Sequence, residues 1–369
     1  MRVIVLICVS FLLFSCARKE NSVTISKPYK NSYARFFRIN EQDSIKILQI
    51  LNPWEEGKVL QQFEVYPHST TQLKNTKSRI VVPVAKVSIH SLDYIGFISL
   101  LNEYGSIAAI TDVDRIYDSI VTKMIHEGLI ADIGLAINYD TEKLILSSPD
   151  IIFTTAYNPA SEELENIGIP AIMNFGWLET HPLGRAEWIK VLGLLYNKTT
   201  LADSIFLEIE NRYNELKLRA SKEVQRKRIM FGSDYNGTWY MPGGRSYKAQ
   251  MVRDAGADYN WFENSETGSL PLSLEQVLVA HNQDDIWLEA PWRSFAEMLS
   301  TDSRLKEFKS VKEGKVFNNF GLSKGIANGY WETGVCRPDL VLQDIVKICY
   351  PNLVNQPLIF YQNLEIESN

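Results

Sequence analysis

Cysteine is scarce, with 4 in 369 residues. None sits in a Cys-x-x-Cys pair and no His-Glu-x-x-His run occurs, which excludes zinc ribbons, dithiol redox centres and iron–sulfur clusters. Cys8 and Cys16 lie in the first sixteen residues. Cys336 and Cys349 flank Pro338–Ile348, which reads as a helix and would hold them about 20 Å apart at 1.5 Å per residue. A disulfide needs Cα atoms within about 7 Å, so two separate buried thiols are expected. Histidine is equally sparse, at 5, and no cluster of His, Asp and Glu suggests a metal site. There is no Gly-x-Ser-x-Gly elbow and no P-loop, so no catalytic set is expected. The formal net charge is -6 with no basic stripe, which argues against a nucleic-acid partner. Past the N-terminus no run approaches the roughly 18 apolar residues that a spanning helix needs.

What is present is an ordinary globular balance, 45% hydrophobic and 22% charged, enough for a core without disulfide or metal. The length suits two or three domains of about 100–200 residues. Aromatics reach 11%, with 8 Trp and 17 Tyr. Some would line a recognition surface, although core packing explains any single one as well. Residues 1–16 combine Arg2 with an apolar run, Val3 through Phe14, too short to span a bilayer. The run ends in Leu13-Phe14-Ser15-Cys16, which resembles the lipobox of bacterial lipoprotein signal peptides; the other reading is a plain secretory signal. The resemblance implies cleavage before Cys16, lipid on its sulfur, and an extracytoplasmic body anchored to the membrane by acyl chains at about 0.8 kcal/mol per buried CH2.

Residues 17–28 read as a polar tether. Within 29–77, Tyr33–Ile39, Ser44–Leu51 and Lys58–Tyr66 read as strands separated by turn formers, a small antiparallel extension. From Arg79 the pattern changes to alternating strands and helices, the signature of a parallel sheet flanked by helices. Residues 78–182 form one such lobe, beginning with the strand Arg79–Val84. Residues 183–222 form linking helices, ending in a long one with Ile205, Ile209, Tyr213 and Leu216 on one face. Residues 223–353 form a second lobe and 354–369 a tail. The halves echo each other. Thr141–Leu146 followed by Pro149-Asp150-Ile151-Ile152-Phe153 matches Leu274–Val279 followed by Asp284-Asp285-Ile286-Trp287. The fold class expected is α/β, two Rossmann-like lobes joined by a long rigid α-helix, with the β extension in front.

Several segments then acquire a common meaning. Glu142-Lys143-Leu144-Ile145-Leu146-Ser147-Ser148-Pro149-Asp150-Ile151-Ile152 is similar to Glu-x-Ile-x-x-Leu-x-Pro-Asp-Leu-Val, and Glu163-Leu164-Glu165-Asn166-Ile167-Gly168-Ile169-Pro170 to Leu-x-x-x-Gly-Ile-Pro. Pro242-Gly243-Gly244-Arg245-Ser246, Ala255-Gly256-Ala257 and Ser273-Leu274-Glu275-Gln276-Val277-Leu278 follow in order. Together, over roughly Ser78–Leu353, the chain resembles the helical-backbone class of ABC-transporter substrate-binding proteins, which includes iron-siderophore, haem and cobalamin binders. The resemblance implies a monomeric, non-enzymatic binder with no intrinsic cofactor, partnered by an ABC permease and its ATPase.

It also implies one permease-docking glutamate per lobe, at Glu142 and Glu275. A carboxylate in a helix's first turn also favours the helix dipole, and the two roles are compatible. The ligand is expected between the lobes, at loops following strand carboxyl ends. Those loops carry Tyr139, Tyr157, Trp177, Tyr235, Trp239, Tyr240, Trp292, Tyr330 and Trp331, whose flat faces suit a bulky chelate. Arg185, Arg245 and Arg293 suit its anionic groups. The candidate ligand residues are Tyr157, Arg185, Trp239, Tyr240, Arg245 and Trp292. Each aromatic has packing between the lobes as its competing role. His90 and His181 are weak candidates for haem iron, and His281 belongs away from the cleft. The closing stretch Tyr330–Leu340 looks closer to iron-uptake members, favouring a ferric siderophore or haem over cobalamin. A surface lipoprotein that relays a cofactor without a permease is the remaining reading.

Overall fold

A computed structural model describes residues 26–29, 31–42, 45–68, 74–155 and 168–365, with backbone only for 26–29. The candidates Cys16 and Tyr157, and the motif at 163–167, lie outside the described residues.

The extension is a five-stranded sheet: β1 (Ser26–Tyr29), β2 (Phe37–Gln42), β3 (Ile45–Leu51), β4 (Val59–Pro67) and β5 (Arg79–Val82), in that spatial order. Alternation puts Phe37, Ile39, Leu48, Ile50, Phe63, Val65, Ile80 and Val82 on one buried face, as period-two strands require. β5 runs parallel to β4. The strand expected to open the first lobe therefore closes the extension sheet instead, and the lobe begins at β6.

Lobe one is a parallel sheet of β6 (Val87–Ile89), β7 (Ile107–Ile110), β8 (Ala131–Asp132), β11 (Ile151–Thr155) and β12 (Ala171–Asn174), ordered β12-β11-β6-β7-β8. A two-residue hairpin, β9 (Gly134–Leu135) with β10 (Asn138–Tyr139), lies beside it. Its helices are α1 (Asp93–Leu101), α2 (Ser119–His126) and α3 (Thr141–Ser147). The linking helices are α4 (Pro182–Glu187), α5 (Ile189–Leu195) and α6 (Thr199–Ala220). Lobe two has β13 (Ile229–Phe231), β17 (Ile286–Leu288) and β18 (Val316–Asn318) parallel, with β21 (Gln362–Asn363) antiparallel at the edge. A small antiparallel sheet joins β14 (Asp234–Tyr235), β15 (Thr238–Pro242) and β16 (Ser269–Leu272), and a separate antiparallel pair joins β19 (Ser323–Lys324) to β20 (Ala327–Asn328). Helices α7 (Tyr247–Asp254), α8 (Leu274–His281), α9 (Phe295–Thr301), α10 (Lys309–Lys312), α11 (Gly329–Cys336) and α12 (Pro338–Cys349) complete the lobe. The stretch expected to be a tail supplies β21 and so belongs to the lobe-two sheet.

The sequence echo has a structural counterpart. β11 pairs with β6 and β17 with β13, each the first strand of its lobe. The acidic turn before each does the same work. Asp150 accepts the amides of Ala85 (2.7 Å) and Lys86 (2.9 Å), and Asp285 accepts the amide of Arg228 (3.0 Å), fixing the start of the neighbouring strand.

The 22-residue α6 is about 33 Å long and buries Ala202, Phe206, Ile209, Tyr213, Leu216 and Ala220, a stripe stepping by three and four. It packs on α5 and α12. Its N-terminus at Lys198 lacks a side-chain cap; Lys198 instead reaches Leu101 O (2.8 Å) and Glu103 (2.6 Å) in lobe one. α11 crosses α1 so tightly that a Cβ on Gly96 would lie 2.2 Å from the Glu332 carbonyl. Cys336 and Cys349 are free and buried, as expected, and burial pushes both thiols up to about 12.

Candidate functional site

The carboxyl ends of both parallel sheets face one cleft. A cavity of about 630 Å³ lies there, lined by Leu92 and Arg115 of lobe one, Pro291, Arg293 and Phe320 of lobe two, and Trp331 of α11. Arg115 ends the single turn Val113–Arg115 after β7. Arg293 follows β17, and its guanidinium lies 4.9 Å from the centre of the Phe320 ring. The cavity's two carboxylates are turned to backbone. Glu297 accepts the Arg293 amide (2.7 Å), while Glu332 accepts the amides of Tyr117 (2.5 Å) and Asp118 (3.0 Å) across the lobes. Burial raises Glu332 to about 7 despite those bonds.

In a narrow pocket that adjoins the cavity behind Trp331, Arg185 of α4 covers the Tyr247 ring at 4.2 Å, and its buried Nε has no hydrogen-bond partner among the described residues. Asp93, raised by burial although Arg185 pulls the other way, accepts from Ser91 (2.5 Å) and Asn174 (2.8 Å). Beside them Glu289, in the left-handed region at φ 59°, pairs with Lys248 and accepts from Tyr330 (3.2 Å) and Tyr361 (3.3 Å). Burial alone would lower Lys248; the Glu289 charge overrides it and the lysine ends raised. Among the described residues, Arg115, Arg185 and Arg293 have no ion pair. The cleft thus offers guanidinium and aromatic surface to an anionic guest.

The expected residues divide. Arg293 lines the cleft, and Arg185 lines the adjoining pocket behind Trp331. Trp331 is 46% exposed at its wall. Trp239 is a correction: it is 0% exposed, donates to Phe231 O (2.8 Å) and packs on Trp287. β15 alternates, so Trp239 points into the lobe while its neighbour Tyr240 points out. Trp292 is corrected likewise, buried edge-on against Trp287. Tyr240 and Arg245 are exposed but outside the cavity lining. His90 is buried against Ser88 and Tyr139, and burial lowers it to about 4. His181 caps α4, accepting the Leu183 amide (3.1 Å), and stacks on Tyr33. His281 bonds Trp261 and Asp284 in lobe two, away from the cleft as expected. Arg115, Tyr247, Lys248 and Phe320 were not singled out from sequence. The strand Ile107–Ile110 was legible, so its carboxyl end was the available signal for Arg115.

Glu142 and Glu275 sit in the first turns of α3 and α8, both exposed. Each is followed one turn later by a bare aliphatic side chain, Leu146 (81% exposed) and Val279 (83%). Glu275 touches Arg304 at 3.1 Å.

Two α/β lobes bridged by a helix, with a charged cleft lined by described residues of both, are the architecture of a solute-binding protein of the clamp type. The sequence profile of the periplasmic binding protein family matches residues 99–318. An uncharacterised lipoprotein of Methanocaldococcus jannaschii is 27% identical over 306 residues, covering 79% of this chain and 71% of that one. Among solved structures, a siderophore-binding protein holding two molecules of acinetobactin and ferric iron aligns at 20% identity and TM-score 0.55, over 72% of this chain and 93% of that one. The periplasmic haem-binding protein of Vibrio cholerae aligns at 15% and 0.54, over 70% and 98%. The chain belongs to the periplasmic binding protein family. It is an extracytoplasmic binding protein and not an enzyme.

Proposed function

We propose that the protein is the substrate-binding component of an ABC importer, that it captures a ferric siderophore, and that Cys16 carries a lipid anchor. The observation supporting this ligand is the cleft of about 630 Å³ with guanidinium groups from both lobes, Arg115 and Arg293, and a third, Arg185, in the narrow pocket that adjoins it behind Trp331. Forked guanidinium contacts suit the carboxylate, catecholate or hydroxamate oxygens of such a chelate. Trp331 and Phe320 give it apolar walls. Haem fits less well, because His90 and His181 are occupied within the fold. In this reading Glu142 and Glu275 dock the permease, with Leu146 and Val279 beside them as apolar contacts.

Titration of the purified protein with ferric siderophores, haem and cobalamin, by tryptophan quenching with calorimetry, tests the ligand assignment. Saturable binding of a ferric siderophore at one per chain is expected. Preference for cobalamin or haem would replace the ligand while keeping the binding role. Silence toward all three would remove the chelate reading.

A further inference from the structure

We propose that the N-terminal extension holds a second binding site, separate from the cleft between the lobes, for a small planar organic anion of the aromatic carboxylate class. A groove of about 740 Å³ opens between the start of β2 and the turn at residues 52–57. Both walls are held in place. Along one, the amides of Ser32, Tyr33 and Ala34 donate to Glu187 at 2.7–2.9 Å, and those of Arg35 and Phe36 donate to Glu179 at 2.9–3.2 Å. Along the other, the Asn52 amide donates to Lys58 O (2.9 Å) and the Trp54 amide to the Asn52 side chain (3.0 Å). A site built before its ligand arrives loses less entropy on binding.

The chemistry of the lining selects the guest. Arg35 and Arg38 are exposed there, and neither has an ion pair among the described residues. Glu56 is the counter-charge, so the lining carries two cations against one anion. Trp54 is 62% exposed, yet its ring is fixed edge-on, 88° and 5.7 Å from the buried Phe175. A bare indole beside two unpaired guanidiniums matches a ring that carries a carboxylate: the forks take the charge and the indole takes the flat face. Arg35 already lies 5.6 Å from the Phe36 ring, which keeps its charge near that surface.

Naphthoate titrated calorimetrically into the full chain tests this. Saturable binding is expected, at least about ten-fold weaker in the double variant Arg35→Gln/Arg38→Gln and in Trp54→Ala. Naphthylmethanol, the same ring without charge, is expected to be weaker by a similar factor. The two arginine changes spare the amides that Glu179 holds, and Trp54 lies in an exposed turn, so each variant can be checked for folding by circular dichroism. Naphthoate that does not saturate, or that binds the double variant and the Trp54 variant as tightly as the wild type, overturns the proposal. Chelate binding in the double variant is expected to be unchanged, so this site and the cleft stand or fall separately.

Discussion

Arg185 is a half-buried arginine with an aromatic face beneath its guanidinium and a buried Nε left open among the described residues. Such a group is costly to desolvate unless a ligand completes its hydrogen bonds. Arg185→Gln keeps polarity and most of the stem but removes charge and fork. It is expected to weaken chelate binding by roughly ten- to a hundred-fold, the range for one charge-assisted contact, while the unfolding midpoint stays near wild type. Calorimetry and urea unfolding of the same sample check both halves. At this scale the sequence was only partly legible. Arg185 and Arg293 could be singled out as candidates because few residue types can bind an anion; Arg293 follows β17 and Arg185 lies on α4. Trp239 and Trp292 were misplaced because richness in aromatics says nothing about which face of a strand a ring occupies. The alternation Trp239 in, Tyr240 out, Met241 in is a period-two pattern in a segment of 5 residues, too short to separate strand from loop by composition.

Among elements, α3 and α8 are the clearest pair. Each begins with a side-chain cap, Asp140 on the Lys143 amide and Ser273 on the Gln276 amide, which favours the helix start by about 1 kcal/mol. Each places its glutamate in the first turn and a bare aliphatic residue one turn on. The Glu275–Arg304 pair is exposed on both sides and such pairs contribute little, so under the proposed docking role a permease arginine would displace it at small cost. Reversing both charges, Glu142→Arg with Glu275→Arg, is expected to abolish import in cells while leaving ligand affinity of the purified protein unchanged. Import at wild-type rate would remove the docking role and favour a relay protein without a permease. This pair was readable because an acid, a cap and an apolar strand recur in one order at both places. The assignment of β5 was not, because Arg79–Val82 is equally suited to either neighbouring sheet, and its partner is settled by pairing with β4, distant from any local pattern.

The whole molecule is tied together by buried carboxylates. Glu187 straps the extension to α4 and Glu179 straps it to the turn just before α4, and Glu332 joins α11 to lobe one. Burial raises Glu179 and Glu332 from 4.5 to about 7. The folded protein therefore holds protons that the unfolded chain releases near 4.5. The stabilisation is full below that value and is lost as pH rises through about 7, by at most about 3 kcal/mol per group. Urea unfolding from pH 4.5 to 8 is expected to show stability falling with pH less steeply in Glu179→Gln than in the wild type; parallel curves would show that Glu179 does not titrate in that window. The extension was legible as strands but not as part of the core. Phe37 against Trp188 (5.1 Å) and Val84 N to Leu195 O (3.0 Å) are contacts between distant segments, which no local spacing reveals.

The central claim is that a ferric chelate sits between the lobes. Iron-edge anomalous diffraction from crystals grown with the best-binding chelate tests it most directly. The account predicts one iron peak per chain, in the cavity bounded by Arg115, Arg293 and Trp331. A peak elsewhere, or none while the chelate saturates the protein in solution, would contradict it.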